Sequence, residues 1–263
     1  MKPHAQSHQS DPRILDRRTL QRDHRLLAAL LRPGMSVLDV GCGTGAITAG
    51  IAQAVGPSGS VIGVDRDAGL LEIAGRSHAN LPNLHFQPGE ATSLDFRERF
   101  DIVTAARTLQ WIAAPIDALR SMRRAARPGG LLAVLDYNHE QNEWEPDPPA
   151  GFQGFYRAFL NWREAHHWDN QMADRLPELF QAAGLSDVES QPQDEISERG
   201  QLGFEEAAAL WSRVIENVGG QLIREEFLAE SKLRLAAEHY QPWAQSQLRA
   251  QRLAMRTVVG KVG

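Results

Sequence analysis

Val37-Leu38-Asp39-Val40-Gly41-Cys42-Gly43-Thr44-Gly45 decides the fold of this chain. A short apolar run holding one acid leads into three glycines spaced two apart. That is the pattern of a buried parallel strand turning sharply into a helix. The glycines let the backbone bend tightly and let a ligand approach main-chain atoms with no Cβ in the way. A helix then begins near Ala46-Ile47-Thr48, its positive end facing the turn. The stretch reads as a cofactor loop.

Further along, Pro57-Ser58-Gly59 is a turn, and Ser60-Val61-Ile62-Gly63-Val64-Asp65 is a second buried strand ending in a carboxylate. In doubly wound folds an acid about twenty residues past the loop accepts hydrogen bonds from a ribose. Arg66–Ser77 reads as a helix, Leu84–Gln87 as a short strand, and Pro88-Gly89-Glu90-Ala91 as the turn after it. Phe100–Ala106 is a fourth strand. Ile116–Ala126 is a helix stopped by Arg127-Pro128-Gly129-Gly130, and Leu131–Asp136 is a fifth strand. Strands alternating with helices make a parallel sheet covered on both faces.

The loop admits two cofactors. Gly41, Gly43 and Ala46 satisfy the dinucleotide fingerprint, and Asp65 would serve a nicotinamide cofactor too. Three features decide against it. Asp39 stands two residues before the first glycine and the third glycine falls at Gly45. Glu90-Ala91 places an acid and a small residue where an adenine amino group would be met. No second nucleotide-binding half follows the fifth strand. Together, Val37–Gly45, Val61–Asp65, Gly89–Ala91, Phe100–Val103 and Arg127–Gly130 resemble the class I S-adenosylmethionine-dependent methyltransferases. The likeness is to the small-molecule and quinone-biosynthesis (type 11-like) group and runs from about residue 33 to 136, continuing weakly through 178–185.

The resemblance implies a Rossmann-like α/β fold, with a doubly wound, mostly parallel sheet of seven strands. The last strand, Met255–Val262, would insert antiparallel between the fifth and sixth. It implies S-adenosyl-L-methionine as cofactor, S-adenosyl-L-homocysteine as product and no metal. Gly41, Gly43 and Gly45 would cradle the methionine part, with Asp39 ordering the loop and facing the amino group. Asp65 would hold the ribose, Glu90 and the Ala91 amide the adenine, and Ala106 and Arg107 the methionine end. Arg66 stands where an apolar residue usually covers adenine and could stack its planar guanidinium instead. Leu109-Gln110-Trp111 stands where the family often has paired histidines, so no base is imported. The positional candidates for a base are His139 and His24, with His166 or His167 behind them.

Beyond the fifth strand, residues 137–176 read as an insertion above the carboxyl ends of the sheet, where ligands bind in open α/β folds. Seven of the eighteen aromatic residues lie between Trp144 and Trp168. They read either as a substrate lid over an apolar or ring-containing acceptor or as an anchor for the insert. Arg175–Ala183 reads as a helix and Leu185–Glu189 as the sixth strand. Phe204–Asn217, Gln221–Tyr240 and Pro242–Gln251 read as helices, with Leu210, Trp211, Val214 and Val218 on one face. This second insert, at about 200–250, either completes the substrate side or forms a dimer contact.

At the N-terminus, residues 1–12 are polar and read as a disordered tail, with His4 and His8 in it. Arg13–Leu31 reads as one helix stopped by Pro33-Gly34, with Arg22, His24 and Arg25 as its candidates for meeting the cofactor carboxylate or the substrate. Residues 13–263 then form one methyltransferase domain. A net charge of −5 gives no bulk attraction to nucleic acid or anionic membrane. No apolar run approaches the roughly 20 residues of a spanning helix. The single cysteine, Cys42, suits a reducing cytoplasm. The expected partner is a small-molecule acceptor, and the expected state a monomer or homodimer. The alternative function is a non-catalytic S-adenosylmethionine-binding sensor or partner subunit; a macromolecule methyltransferase would want a basic face beyond Arg120, Arg123, Arg124 and Arg127.

Overall fold

Two β-rich runs of the sequence, separated by a long helical stretch, come together in one sheet. The computed structural model describes residues 11–263. The strands are β1 (Ser36–Val40), β2 (Ser60–Asp65), β3 (Leu84–Pro88), β4 (Phe100–Ala106) and β5 (Ala126–Tyr137), then β7 (Ser186–Pro192) and β10 (Met255–Lys261). Their order is β3-β2-β1-β4-β5-β10-β7. Neighbours from β3 to β5 are parallel, and β10 runs antiparallel to both β5 and β7. This is the Rossmann-like sheet of seven strands, its penultimate position filled by the last strand. The order reverses between β1 and β4, which opens a crevice at their carboxyl ends.

The strands read as continuous apolar runs because both faces are covered. On one face α4 (Ala46–Val55) buries Ile51 and Val55 against Val37 and Val61. On the other, α6 (Pro115–Ala125) and α8 (Met172–Ala182) bury Leu119, Met122 and Phe180 against Val103, Leu132 and Val258. Helix α5 (Ala68–Ser77) starts two residues later than the sequence suggests. The Asp67 carboxylate accepts from Gly69 N at 2.9 Å and Leu70 N at 3.2 Å, making Asp67 the cap and leaving Arg66 in the turn. Strand β5 starts earlier than expected, because Ala126 already pairs with Phe100 on β4 before the ladder resumes at Leu131.

The amino-terminal helix is a correction. Residues 13–31 form three short helices, α1 (Pro12–Leu15), α2 (Leu20–Asp23) and α3 (Arg25–Leu30). Thr19 Oγ1 accepts from Arg22 N at 3.3 Å while the Asp23 carboxylate accepts from Thr19 N at 2.6 Å. That reciprocal cap starts a new helix inside the apolar pattern. Asp11 caps α1 by accepting from Arg13 N at 2.9 Å, so the helical part begins at Pro12. The His4/His8 pair lies outside the described residues.

A cap sits on the carboxyl ends of the sheet, with a core of its own. It comprises α7 (Ala150–Ala165), α9 (Phe204–Ala208), α10 (Leu210–Arg224) and α11 (Glu230–Ser246), closed by a small antiparallel sheet. That sheet has the order β6-β9-β8, from β6 (Glu143–Glu145), β8 (Glu195–Glu198) and β9 (Ala250–Leu253). The helix expected over 242–251 is a second correction. Helix α11 continues through Pro242 to Ser246, and residues 250–253 alternate half-buried and buried as β9. A third is the break at 225–229 within the expected 221–240 helix. The Gly219 position lets α10 approach α11 closely, since a Cβ there would lie 2.5 Å from the Leu233 side chain. Among the described residues, no helix is long and apolar enough to cross a membrane.

Candidate active site

The glycine loop owes its shape to hydrogen bonds that cross between strands. Gly41 N and Cys42 N both donate to Val64 O, at 2.7 and 3.1 Å, tying the end of β1 to β2. Gly43 N donates to Asp65 Oδ2 at 2.8 Å, and Asp67 N donates to Asp65 Oδ1 at 3.0 Å. One half-buried carboxylate thus organises two turns with one lone pair on each oxygen, and the remaining lone pairs are open to a ligand. Gly41 sits at φ +75°, and a Cβ there would lie 2.4 Å from the Thr108 side chain beyond β4. Only glycine fits that crossing of the crevice.

Above the loop lies a cavity of about 640 Å³. Gly41, Gly43, Asp65, Arg66, Glu90 and Ala91 line one end, and Ala106 and Arg107 continue the wall. Asp39 and Gly45 stand behind that wall. The Asp39 carboxylate is buried and accepts from Thr48 Oγ1 at 2.7 Å, bracing the strand against α4. Burial pushes its pKa up to about 6, against the Thr48 hydrogen bond. Gly45, at φ +78°, packs over Phe86, where a Cβ would lie 2.5 Å from the ring.

Arg107 is a buried non-glycine residue at φ +59°. Its Nε donates to Tyr137 Oη at 3.0 Å, one terminal nitrogen to Asp23 O at 3.2 Å and the other to the Glu195 carboxylate. Burial works against its charge, but Glu195, Tyr137 and Asp23 hold it firmly protonated. Its hydrogen-bonding capacity is therefore largely taken by the protein.

The other end of the cavity is aromatic and apolar. Trp111, Tyr137, Phe159 and Trp211 line it, with Leu210, Val214 and Val218. The expected apolar face of α10 is thus the roof of the cavity. Of the seven aromatics from Trp144 to Trp168, only Phe159 reaches the wall. Phe152, Phe155 and Trp162 fill the cap core, so most of the run anchors the insert rather than covering a ligand.

His139 also lines the cavity. Its Nε2 lies 2.6 Å from Gln110 Oε1, while Gln110 Nε2 donates to Arg107 O at 3.3 Å. The amide orientation makes Nε2 the protonated nitrogen and leaves the Nδ1 lone pair buried and unpartnered. Burial, and then Arg163, hold the ring neutral by pulling its pKa well below 6.5. His24 is off the wall: its Nε2 meets Thr104 Oγ1 at 3.1 Å in the core below β4, and burial pulls its pKa down to about 3. His166 pairs with Glu225 at 3.2 Å in the cap and His167 is exposed. Arg22 and Arg25 are off the wall as well; Arg22 pairs with Asp23 at 3.0 Å. No group of acids, histidines or cysteine fit to hold a metal occurs among the described residues.

A methyltransferase domain model matches residues 31–184, more than half of the chain. The chain belongs to the methyltransferase domain family. A demethylmenaquinone methyltransferase from Staphylococcus carnosus is 33% identical over 177 residues, covering 60% of this chain and 71% of that protein. Two solved structures share the fold. An S-adenosylmethionine-dependent methyltransferase from Aquifex aeolicus aligns at a TM-score of 0.56 and 16% identity, over 97% of this chain and all of that one. The YcgJ protein from Bacillus subtilis aligns at 0.56 and 19%, over 90% and 96%. The protein is an S-adenosylmethionine-dependent methyltransferase. The residues fit that cofactor: the Asp65 carboxylate keeps free lone pairs on the wall, and the Gly41 cradle would be filled by any Cβ.

Two contributions escape the sequence. Arg18 lines the cavity from the turn after α1, and Asn217 lines it from α10. Nothing local marks either residue, because each reaches the wall through the docking of distant segments.

Proposed function

We propose that this cavity transfers a methyl group to a small ring-containing or apolar molecule. One observation carries the reading: a single space runs from the loop and Asp65 to the rings of Trp111, Phe159 and Trp211. Gly41 and Gly43 cradle the methionine part of the cofactor through their backbone. Asp65 accepts from the ribose hydroxyls, and Glu90 with the Ala91 N–H holds the adenine. Arg66 covers the adenine at the rim, and Ala106 and Arg107 flank the methionine end. Asp39 and Gly45 keep the loop in shape from behind. The bound cofactor supplies an activated methyl carbon, and the protein's task is to align an acceptor atom with it and keep water out.

His139 is the neutral imidazole on the cavity wall, and its buried Nδ1 lone pair would serve as a base only for an acceptor that packs against the ring. Its ring stacks on Tyr137 at 5.0 Å and meets Phe159 edge-on at 5.9 Å, which fixes its orientation. The Staphylococcus relative, named for demethylmenaquinone, supports a ring acceptor. The assembly proposed with this function is a monomer or a homodimer. The lone Cys42 thiol fits a reducing cytoplasm.

Incubating the protein with S-adenosylmethionine and a panel of phenols, amines and quinone-like rings tests the reading. S-adenosylhomocysteine should be released with at least one ring compound and depend on it. Release with none of the rings, or only with nucleic acid or protein, would sink it.

A further inference from the structure

Arg18 is a cation without a bonded counter-charge among the described residues. It lines the cavity, yet its guanidinium makes no hydrogen bond or ion pair among the described residues. Residues 1–10 cannot supply a carboxylate side chain, since they contain no Asp or Glu. The nearby acids are taken: Glu195 is bound by Arg107, and Asp23 by Arg22 at 3.0 Å. Burial and the adjacent Arg107 both disfavour the charge on Arg18 and lower its pKa. A partly desolvated cation set beside another cation is costly unless an anion completes it.

The segment that bears Arg18 is held in place. Arg17 pairs with Glu206 on α9, and Arg13 lies 3.7 Å from Glu216 on α10. Leu15 already covers the loop, its Cδ1 2.9 Å from where a Gly43 Cβ would stand. Three residues later, Arg18 feels Arg107, Tyr137, Glu195 and Asp23 instead. Those groups gather around Arg107, where the methionine end of the crevice meets the aromatic wall that Tyr137 continues through His139 to Phe159.

We infer that Arg18 is the specificity residue of the acceptor site, selecting a ring compound that carries a carboxylate or similar oxyanion. The inference rests on the methyl-transfer reading of the cavity and narrows its acceptor from ring compounds in general to acidic ones. The planar guanidinium binds two oxygens of such a group at once, which fixes the ring's orientation as well as its place.

The test uses the full chain with S-adenosylhomocysteine and two probes, 1-naphthol and 1-hydroxy-2-naphthoate, read by quenching of tryptophan fluorescence. The wild type should bind the acid about tenfold more tightly than the naphthol, as a charge-assisted bidentate contact gives. Arg18→Gln should bring that ratio to about one, and Arg18→Lys should keep part of it, because the point charge survives and the fork does not. Both variants should hold S-adenosylhomocysteine within about twofold of wild type, and Arg18→Gln should melt no lower than wild type, since it removes an uncompensated cation. Equal binding of the two probes by the wild type, no binding of the acid, or a preference that survives in Arg18→Gln overturns the inference. So does a roughly tenfold loss of S-adenosylhomocysteine in Arg18→Gln, which assigns the cation to the cofactor's own carboxylate. A wild type that binds no S-adenosylhomocysteine brings down the methyl-transfer reading instead, a different result from any of these.

Discussion

The two ends of the cavity are built by different means. At the cofactor end, backbone groups and two carboxylates from consecutive strand-to-helix turns make the surface, and Asp65 alone ties two of those turns together. At the aromatic end the surface is side chain, delivered by α1's turn, β5, α7 and α10. One end is local in sequence and rests on the sheet. The other is assembled from distant segments, and its geometry depends on how a separate core packs. The fold thereby keeps its reagent constant and leaves its substrate open to change.

Trp211→Ala should show the largest effect. It removes a nearly buried ring that packs on Trp144, Phe152, Tyr156 and Phe159, at a cost of about 3–5 kcal/mol in denaturant unfolding. If the two ends are independent, calorimetric affinity for S-adenosylhomocysteine stays within about threefold. A larger loss would break the comparison.

Asp65→Asn probes the opposite end. Losing one charged acceptor on the wall should weaken S-adenosylhomocysteine by about 1.5–3 kcal/mol, leaving the near-ultraviolet signal of the cap tryptophans unchanged. Collapse of that signal would show the ends to be coupled.

The boundary between them carries a titration. Asp136 is buried, accepts from Gln110 N at 3.1 Å and Tyr137 N at 3.0 Å, and burial raises its pKa to about 7 despite those bonds. The folded protein keeps this proton between about pH 4 and 7, where the unfolded chain has lost it. Its contribution to stability therefore falls as pH rises through that window and is flat above it. Relative to wild type, Asp136→Asn should melt at progressively higher temperature from pH 4.5 to 7, a gain of about 3 kcal/mol in stability across that window, and then level off. A difference independent of pH would show that the carboxyl group titrates normally.

The smallest effect belongs to the strap. Arg17→Ala removes an exposed pair with Glu206 and should cost about 0.5 kcal/mol by thermal melting. A cost above about 2 kcal/mol would mean that the amino-terminal segment holds the cap down, which surface pairs rarely do.

How far the sequence could be read follows the same division. Val37–Gly45, Asp65 and Glu90-Ala91 announce themselves because strand, turn and ligand-facing group are neighbours in the chain. Helix α10 was legible as an apolar face, but its partner was not, since a stripe of Leu210, Trp211, Val214 and Val218 fits a roof or a dimer contact equally well. The aromatic run at 144–168 fits a lid and an anchor alike in sequence and is mostly core, because spacing shows a buried face without showing what covers it. The amino-terminal helix failed on a short-range detail, the Thr19–Asp23 cap, which outweighs the apolar period around it. Arg18 was invisible: an arginine among arginines gains its meaning only from the cavity it enters and the acids it lacks.

Strand β10 has a consequence in time rather than space. Strand β7 pairs in the sheet with β10 alone, and β10 forms the outer neighbour of β5 as well. Until β10 is made, β5 presents an open edge and β7 has nowhere to dock, while the entire cap has already been synthesised. Closure of the sheet is thus a long-range, late event, of the kind that slows folding and exposes strand edges to other chains. A protein built this way needs a protected interval between making its cap and finishing its sheet.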